Sequence, residues 1–121
     1  MIAHVSLHVS DMARSKEFFA AALHPLGYKV TSEFADYKVC GFGVDGNSDL
    51  WIDGNGVSRP MHVAFEAKND EEVNEFHKAA LAAGGKDNGA PGIRKDYSPG
   101  YYAAFALDPD GNNIEVVHHQ K

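Results

Sequence analysis

Two histidines with similar neighbours are the residues that point most directly to chemistry in this chain. His4 opens the stretch HVSLHVSD, and His62 opens HVAFEAKN 58 positions later. The same offset matches Phe18 with Phe76. It then matches two alanines, a leucine and a glycine of the first half with the same residue types in the second half, without a gap. Because equivalent positions of a duplicated fold are related by pseudo-symmetry, we expect His4 and His62 to face one shared cavity. Two imidazoles that face one cavity suggest a metal site.

The first half of the chain predicts a strand, a helix and further strands. Residues 2–9 alternate between polar and apolar, which puts His4, Ser6 and His8 on one face. Asp11 is expected to cap a helix up to the proline at position 25. Strands are expected near residues 28–32, 37–42 and 49–52. The helix has residues at helical spacing along one face, namely Met12, Ser15, Phe19, Ala22 and Leu26.

The second half repeats this order. Residues 62–67 alternate, Asn69 or Asp70 caps a second helix, and Gly84-Gly85 ends it. The segment 86–100 is rich in Gly, Asn and Pro, which predicts mostly loop with one short strand. A buried strand over 101–107, a tight turn over 108–112 and a closing strand over 113–118 complete the pattern. The apolar stripe of the second helix consists of Val73, Phe76, His77, Ala80 and Leu81.

The two final hairpins differ in their chemistry. An offset of 65 aligns Asp45-Gly46-Asn47 with the Asp-Gly-Asn at 110–112, and it therefore aligns Leu50 with Glu115. Glu115 is expected to point inward in the second copy, where the first copy offers leucine. Alternation then sends Trp51 to the outside.

Composition limits the possible classes of protein. The 121 residues predict a single domain, with module one at 1–56 and module two at 59–121. The formal charge of −6 and the lack of a basic cluster argue against nucleic acid as a partner, and no stretch has the length of a membrane span. The only cysteine, Cys40, is expected to be a small buried side chain. The start of the chain reads as a strand and not as a leader, so a cytoplasmic protein is expected.

Three sequence features together resemble the vicinal oxygen chelate superfamily. They are the His4 strand that ends in VSD, the His62 strand, and the stretch LDPDGNNIE that ends at Glu115. The superfamily includes glyoxalase I, extradiol dioxygenases, and fosfomycin and bleomycin resistance proteins. The resemblance covers nearly the whole chain and implies an α+β fold. Two tandem βαβββ modules would form a half-open mixed β barrel around a metal site, with the helices outside.

The resemblance also implies the ligands. In the superfamily they come from the first and last strands of each module, positions that hold His4, Leu50, His62 and Glu115 here. The resemblance thus assigns His4, His62 and Glu115 as metal ligands. Two imidazoles and one carboxylate leave about three open positions on an octahedral ion, and they suit one divalent ion of Zn, Ni, Co, Mn or Fe.

Other side chains are candidates for proton transfer and for substrate binding. His8 and Glu66 each lie two residues beyond a ligand histidine, about 6 to 7 Å along the strand, where either could act as general acid or base. The alternative is that they satisfy one another at the barrel rim. His118 and His119 point to opposite faces and are interpreted as a frayed terminus. Candidate substrate contacts are Ser6, Arg94, Tyr97, Tyr101 and Tyr102.

Three functions follow from the resemblance. The first is a glyoxalase-I-like lyase or isomerase that acts on a small carbonyl compound or thiol adduct through a metal-stabilised enediolate. Since Leu50 supplies no second carboxylate, its base would be Glu115, His8 or Glu66. The second is an iron-dependent extradiol-type dioxygenase. The third is a metal-free protein that binds an antibiotic or toxin. A homodimer is expected, with the site within one chain or across two.

Overall fold

The computed structural model describes residues 1–56 and 59–121, and these form two copies of one βαβββ unit. The elements of module one are β1 (Val5–His8), α1 (Met12–Ala22), β2 (Lys29–Phe34), β3 (Val39–Val44) and β4 (Asn47–Asp53). The elements of module two are β5 (His62–Glu66), α2 (Asp70–Ala82), β6 (Lys86–Ile93), β7 (Tyr101–Leu107) and β8 (Asn113–His119). Short 3₁₀ turns occupy His24–Leu26 and Ala35–Tyr37.

Each module forms a four-stranded mixed sheet. The strand orders are β1-β4-β3-β2 and β5-β8-β7-β6, so the first and last strands of each module are parallel neighbours. The remaining neighbours are antiparallel. The α+β fold of two βαβββ modules is therefore confirmed, and the two sheets do not close on each other.

Side-chain caps begin both helices. The Asp11 carboxylate accepts a hydrogen bond from the Arg14 amide at 3.1 Å, and the Asn69 side chain accepts one from the Glu72 amide at 2.9 Å. Glu72 in turn accepts from the backbone amide of Lys68, the residue before the cap, so a second side-chain hydrogen bond holds the start of this helix. The caps predicted from the sequence are thus confirmed.

The helices cover one face of each sheet and pack against each other. Phe18 and Phe19 of α1 and Phe76 of α2 are fully buried in a core that both modules share. Cys40 is also fully buried, as predicted. The opposite faces of the two sheets, where His62 lies on β5 and His4 comes directly before β1, are not covered by helices. We call these the open faces.

The alignment of Leu50 with Glu115 is wrong. Strand pairing places Glu115 opposite Ala64 and places Trp51 opposite Ser6, so Trp51 is the structural counterpart of Glu115. Leu50 is 1% exposed within the core. Trp51 lies on the open face, where its ring stacks on Phe34 with centroids 6.2 Å apart.

Unequal turns explain the error. The β3–β4 hairpin turns on Asp45 and Gly46, both at positive φ, whereas residues 108–112 separate β7 from β8. A register shift beside Gly43 also changes the number of residues between the turn and each paired position of the strand. A Cβ there would lie 1.6 Å from the Asn47 carbonyl oxygen, so only glycine fits this bulge.

Two other expectations are corrected. The segment predicted to be mostly loop contains the eight-residue strand β6, whose register shifts accommodate its glycines and its proline. The histidines at the end of the chain are not frayed, because β8 continues through His119 and pairs with β7. Within the described part of the chain, no helix combines the length and hydropathy that a membrane crossing requires.

Candidate metal site

His62 and Glu115 form a close pair on the open face of module two. They lie on the neighbouring strands β5 and β8, and His62 Nε2 is 3.1 Å from Glu115 Oε1. The Glu115 side chain is only 4% exposed, whereas that of His62 is 49% exposed. A nearly buried carboxylate beside a more accessible imidazole is a suitable pair of metal ligands.

The turn at 108–112 holds the starts of these two strands together. Asp108 accepts hydrogen bonds from the backbone and side-chain nitrogens of Asn112 at 2.7 and 2.8 Å. The Asn112 side-chain oxygen accepts one from the Met61 amide at 2.8 Å, directly before His62. Asp110 reaches module one, where it accepts from the Ser10 amide at 3.1 Å. The aspartates and asparagine of this motif therefore position the His62 strand and join the modules.

The hydrogen bond at the other ring nitrogen fixes the tautomer of His62. Its Nδ1 lies 2.9 Å from the carbonyl oxygen of Asn113, which can only accept, so Nδ1 carries the proton. In the neutral ring Nε2 then presents a lone pair to the Glu115 carboxylate. Two acceptors at 3.1 Å need a proton or a cation to stabilise them.

Tyr101 satisfies the second oxygen of Glu115. Its hydroxyl donates to Oε2, and its ring packs edge-on against both Tyr97 and His119. Burial, and then the carboxylate of Glu115, raise the pKa of Tyr101 to about 12, so the hydroxyl stays protonated at neutral pH. Tyr101 thus fixes the orientation of Glu115 and leaves Oε1 for another ligand.

The pair fits a divalent ion. Ligand atoms about 2.1 Å from one ion and at right angles to each other would lie about 3.0 Å apart. The observed separation of His62 Nε2 and Glu115 Oε1 is 3.1 Å. The donor pair and its outer hydrogen bonds are therefore compatible with a divalent metal ion.

His4 does not join this pair within one chain. It is exposed on module one and lines an open groove of about 610 Å³ with Ser6, Ser48 and Trp51. It also borders a cleft of about 290 Å³ near Glu66. Among residues 1–56 and 59–121, no three His, Cys, Asp or Glu side chains are grouped to hold a metal ion. One chain therefore assembles two of the three expected ligands.

The candidate acid–base residues lie apart. Glu66 is on the same strand face as His62, and its Oε1 lies 3.4 Å from His119 Nδ1. His8 ends β1, where it pairs in register with Asp53. In the described ranges Glu66 has His119 as its ion-pair neighbour, and no ion pair joins it to His8. Sequence reasoning missed His119, although Glu115 and His119 share a strand face by their even spacing.

The candidate substrate contacts fall on different surfaces. Ser6 lies beside His4 in the module-one groove. Tyr97 is 62% exposed next to Tyr101 on the open face of module two. Tyr102 lies on the helix side, where its hydroxyl donates to Asn74 of α2 at 2.6 Å. Tyr102 therefore points to the opposite side of the sheet from Glu115. The fifth contact, the arginine at position 94, lies over the Phe105 ring.

Comparison with known proteins agrees with this architecture. The model of the Glyoxalase/Bleomycin resistance protein/Dioxygenase superfamily matches residues 1–116, and the chain belongs to this superfamily. Its members generally bind a divalent metal ion.

Individual relatives span a range of lengths. The chain is similar to a glyoxalase/bleomycin resistance protein from Albidiferax ferrireducens, with a TM-score of 0.81, 27% identity and 98% of each chain covered. It also resembles a mutant of glyoxalase I from Zea mays, with a TM-score of 0.70 and 26% identity over 97% of this chain and 46% of that one. The uncharacterized protein YqjT of Bacillus subtilis is 26% identical, covering 94% of this chain and 95% of its own length.

Proposed function

We propose that this protein is a metal-dependent lyase or isomerase similar to glyoxalase I, acting on a small carbonyl compound or thiol adduct. The observation that carries the proposal is the geometry of His62 and Glu115. A ring nitrogen whose tautomer presents a lone pair lies 3.1 Å from a nearly buried carboxylate oxygen. That arrangement needs a proton or a cation between the two atoms, and a bound divalent ion would supply the positive charge.

The third ligand in this proposal is His4 of the partner subunit. Both open faces carry large aromatic side chains that a second copy could cover. On module one Phe34 is 51% exposed and stacks on Trp51, and on module two Tyr97 is 62% exposed. In a homodimer with twofold symmetry, module one of each copy would face module two of the other. Two equivalent sites would result.

The chemistry is proton transfer next to a carbonyl group. A bound divalent ion supplies Lewis-acid stabilisation of the negative charge that develops on the carbonyl oxygen. Glu66 accepts the proton from the carbon next to the carbonyl group and returns it to the former carbonyl carbon, and His119 Nδ1 lies 3.4 Å from its carboxylate. Tyr101 keeps Glu115 oriented through its hydroxyl.

Metal analysis of protein purified without an affinity tag tests the metal. We expect about one divalent ion per chain in the native protein and a large loss in His62→Ala. A native protein without bound metal would overturn the proposal and favour an antibiotic- or toxin-binding protein. Bound iron that reacts with oxygen and catechols would favour a dioxygenase instead.

Mixing two inactive variants tests whether the site spans two copies. His4→Ala and His62→Ala homodimers should both be defective. Subunits exchanged at equal amounts give half heterodimers, each with one intact site, so about one quarter of all sites should recover metal. Recovery near zero after exchange, verified by native mass spectrometry, would place the whole site within one chain.

A further inference from the structure

Arg94 is held in a fixed position at the edge of the module-two open face. Its backbone amide donates to the Tyr101 carbonyl at 2.7 Å, and its carbonyl accepts from the Tyr97 amide at 3.0 Å. Its guanidinium folds back over β6 and donates from Nη2 to the Ala90 carbonyl at 2.7 Å. The guanidinium carbon lies 5.5 Å from the centre of the Phe105 ring. The side chain is therefore anchored at both ends and is not a freely moving surface arginine.

Two glycines make room for this guanidinium. A Cβ at Gly89 would lie 3.1 Å from Arg94 Nη2 and 2.9 Å from the Phe105 ring. A Cβ at Gly92 would lie 3.2 Å from Arg94 Nη1. Side chains at either position would press on the guanidinium, so these glycines leave a space that the planar group fills.

The charge of Arg94 is not neutralised inside the described part of the chain. No carboxylate of residues 1–56 and 59–121 lies within 4.0 Å of the guanidinium, and one of its five N–H groups has a hydrogen-bond partner there. A fixed, half-buried cation with free donors is unusual in a chain of formal charge −6. It is suited to bind a planar anion through two parallel hydrogen bonds.

The Phe105 ring connects this cation to the metal-ligand pair. The ring also stacks on His62, with centroids 6.3 Å apart and planes at 25°. Phe105 pairs in register with Glu115 across β7 and β8. The open face thus has metal ligands on one side, an aromatic floor in the middle and a cation on the other side.

We propose that Arg94 forms a carboxylate-binding subsite, and that the substrate is a small carbonyl compound with a carboxylate several bonds from the carbonyl group. This inference rests on the proposed function for the position of the carbonyl group. The guanidinium binds the carboxylate in a bidentate manner, while the carbonyl lies near His62 and Glu115. The aromatic floor covers the intervening carbon atoms.

Titration of the chelator-treated, metal-free protein with glutarate tests this subsite, with neutral glutaramide as the matched probe. Nuclear magnetic resonance should show saturable shifts of the Arg94 side-chain signal with glutarate and none with glutaramide. Arg94→Met should weaken glutarate binding by roughly tenfold or more, and Arg94→Lys by less, because lysine keeps the charge but loses the planar fork. Arg14→Met, a change of an exposed arginine on α1, is the control and should bind glutarate normally.

Equal binding of the two probes, or normal glutarate binding by a folded Arg94→Met protein, would overturn the subsite. The backbone amide spectrum verifies that the variants are folded. Because the probe is measured without metal, the result is independent of the metal proposal. A chain that holds no metal overturns the proposed function and the placement of the carbonyl group but leaves the Arg94 subsite standing, whereas a chain that ignores glutarate overturns the subsite and leaves the metal proposal standing.

Discussion

Trp51 and Glu115 occupy equivalent positions in the two modules. Each lies on the last strand of its module, and each is opposite a small residue of the first strand, Ser6 or Ala64. Module two thus presents a carboxylate to its open face where module one presents an indole. The open faces of the two modules therefore differ in chemistry, with a carboxylate on module two and an aromatic surface on module one.

This register predicts losses of stability of different size for two neighbouring substitutions. Leu50→Glu places a carboxylate without a partner in the core and should cost about 3 kcal/mol or more, or prevent folding. Trp51→Glu loses the stacking on Phe34 but keeps the new charge at the open face, so it should cost about 1 to 2 kcal/mol. Urea unfolding measures both. If Leu50→Glu were the milder change, the register would be wrong.

A second prediction concerns the hydroxyl that holds Glu115. Tyr101→Phe removes the donor to Oε2 and should weaken metal binding by about 10- to 100-fold, because the ligand loses its outer hydrogen bond. Tyr102→Phe is the matched control, since it removes a hydroxyl that bonds to Asn74 on the other side of the same strand. Competition with a chromophoric chelator gives the dissociation constants. If the two substitutions changed the dissociation constant equally, Tyr101 would not have the proposed role of positioning Glu115.

Some parts of the fold were readable from the sequence, and others depend on packing. The strand of His62 and the cap at Asn69 follow from local patterns, because alternation and side-chain hydrogen bonds act within a few residues. The length of strand β6 could not be predicted from the sequence, because its glycines and proline are typical of loops. Its pairing with β7 overrides that preference.

The site was predictable only in part for a similar reason. Glu115 could be identified from its hairpin motif, and His62 from the internal repeat. Aligning turn residues nevertheless paired Glu115 with Leu50, because turn length and a bulge change the register without changing the local pattern. The contact between Glu66 and His119 joins β5 to the end of β8, and no local pattern indicates it.

A third prediction concerns the reactivity of Cys40. Burial raises the pKa of its thiol, and the side chain is 0% exposed between β2 and β4. A thiol-specific reagent such as dithionitrobenzoate should therefore react with the native protein at least about 100-fold more slowly than with the urea-unfolded chain. Absorbance of the released thiolate measures the rate. Rapid labelling of one thiol per native chain would mean that the core around β3 opens readily.

The last prediction is a pH dependence at the contact between α2 and β6. The Gly89 amide, and then His77, hold the pKa of Asp87 below its ordinary value, since both donate to the same carboxylate oxygen at 2.9 Å. A lowered folded-state pKa stabilises the protein above the unfolded-state value, and this contribution is lost as the pH falls through the folded-state value. Asp87→Asn retains the size and an acceptor oxygen but removes the charge. The variant should be less stable than the native protein at pH 7, and the difference should be smaller at pH 3, below the unfolded-state value, as measured by urea unfolding at both pH values. A gap that stays constant between pH 7 and pH 3 would show that the charge of Asp87 does not contribute to stability.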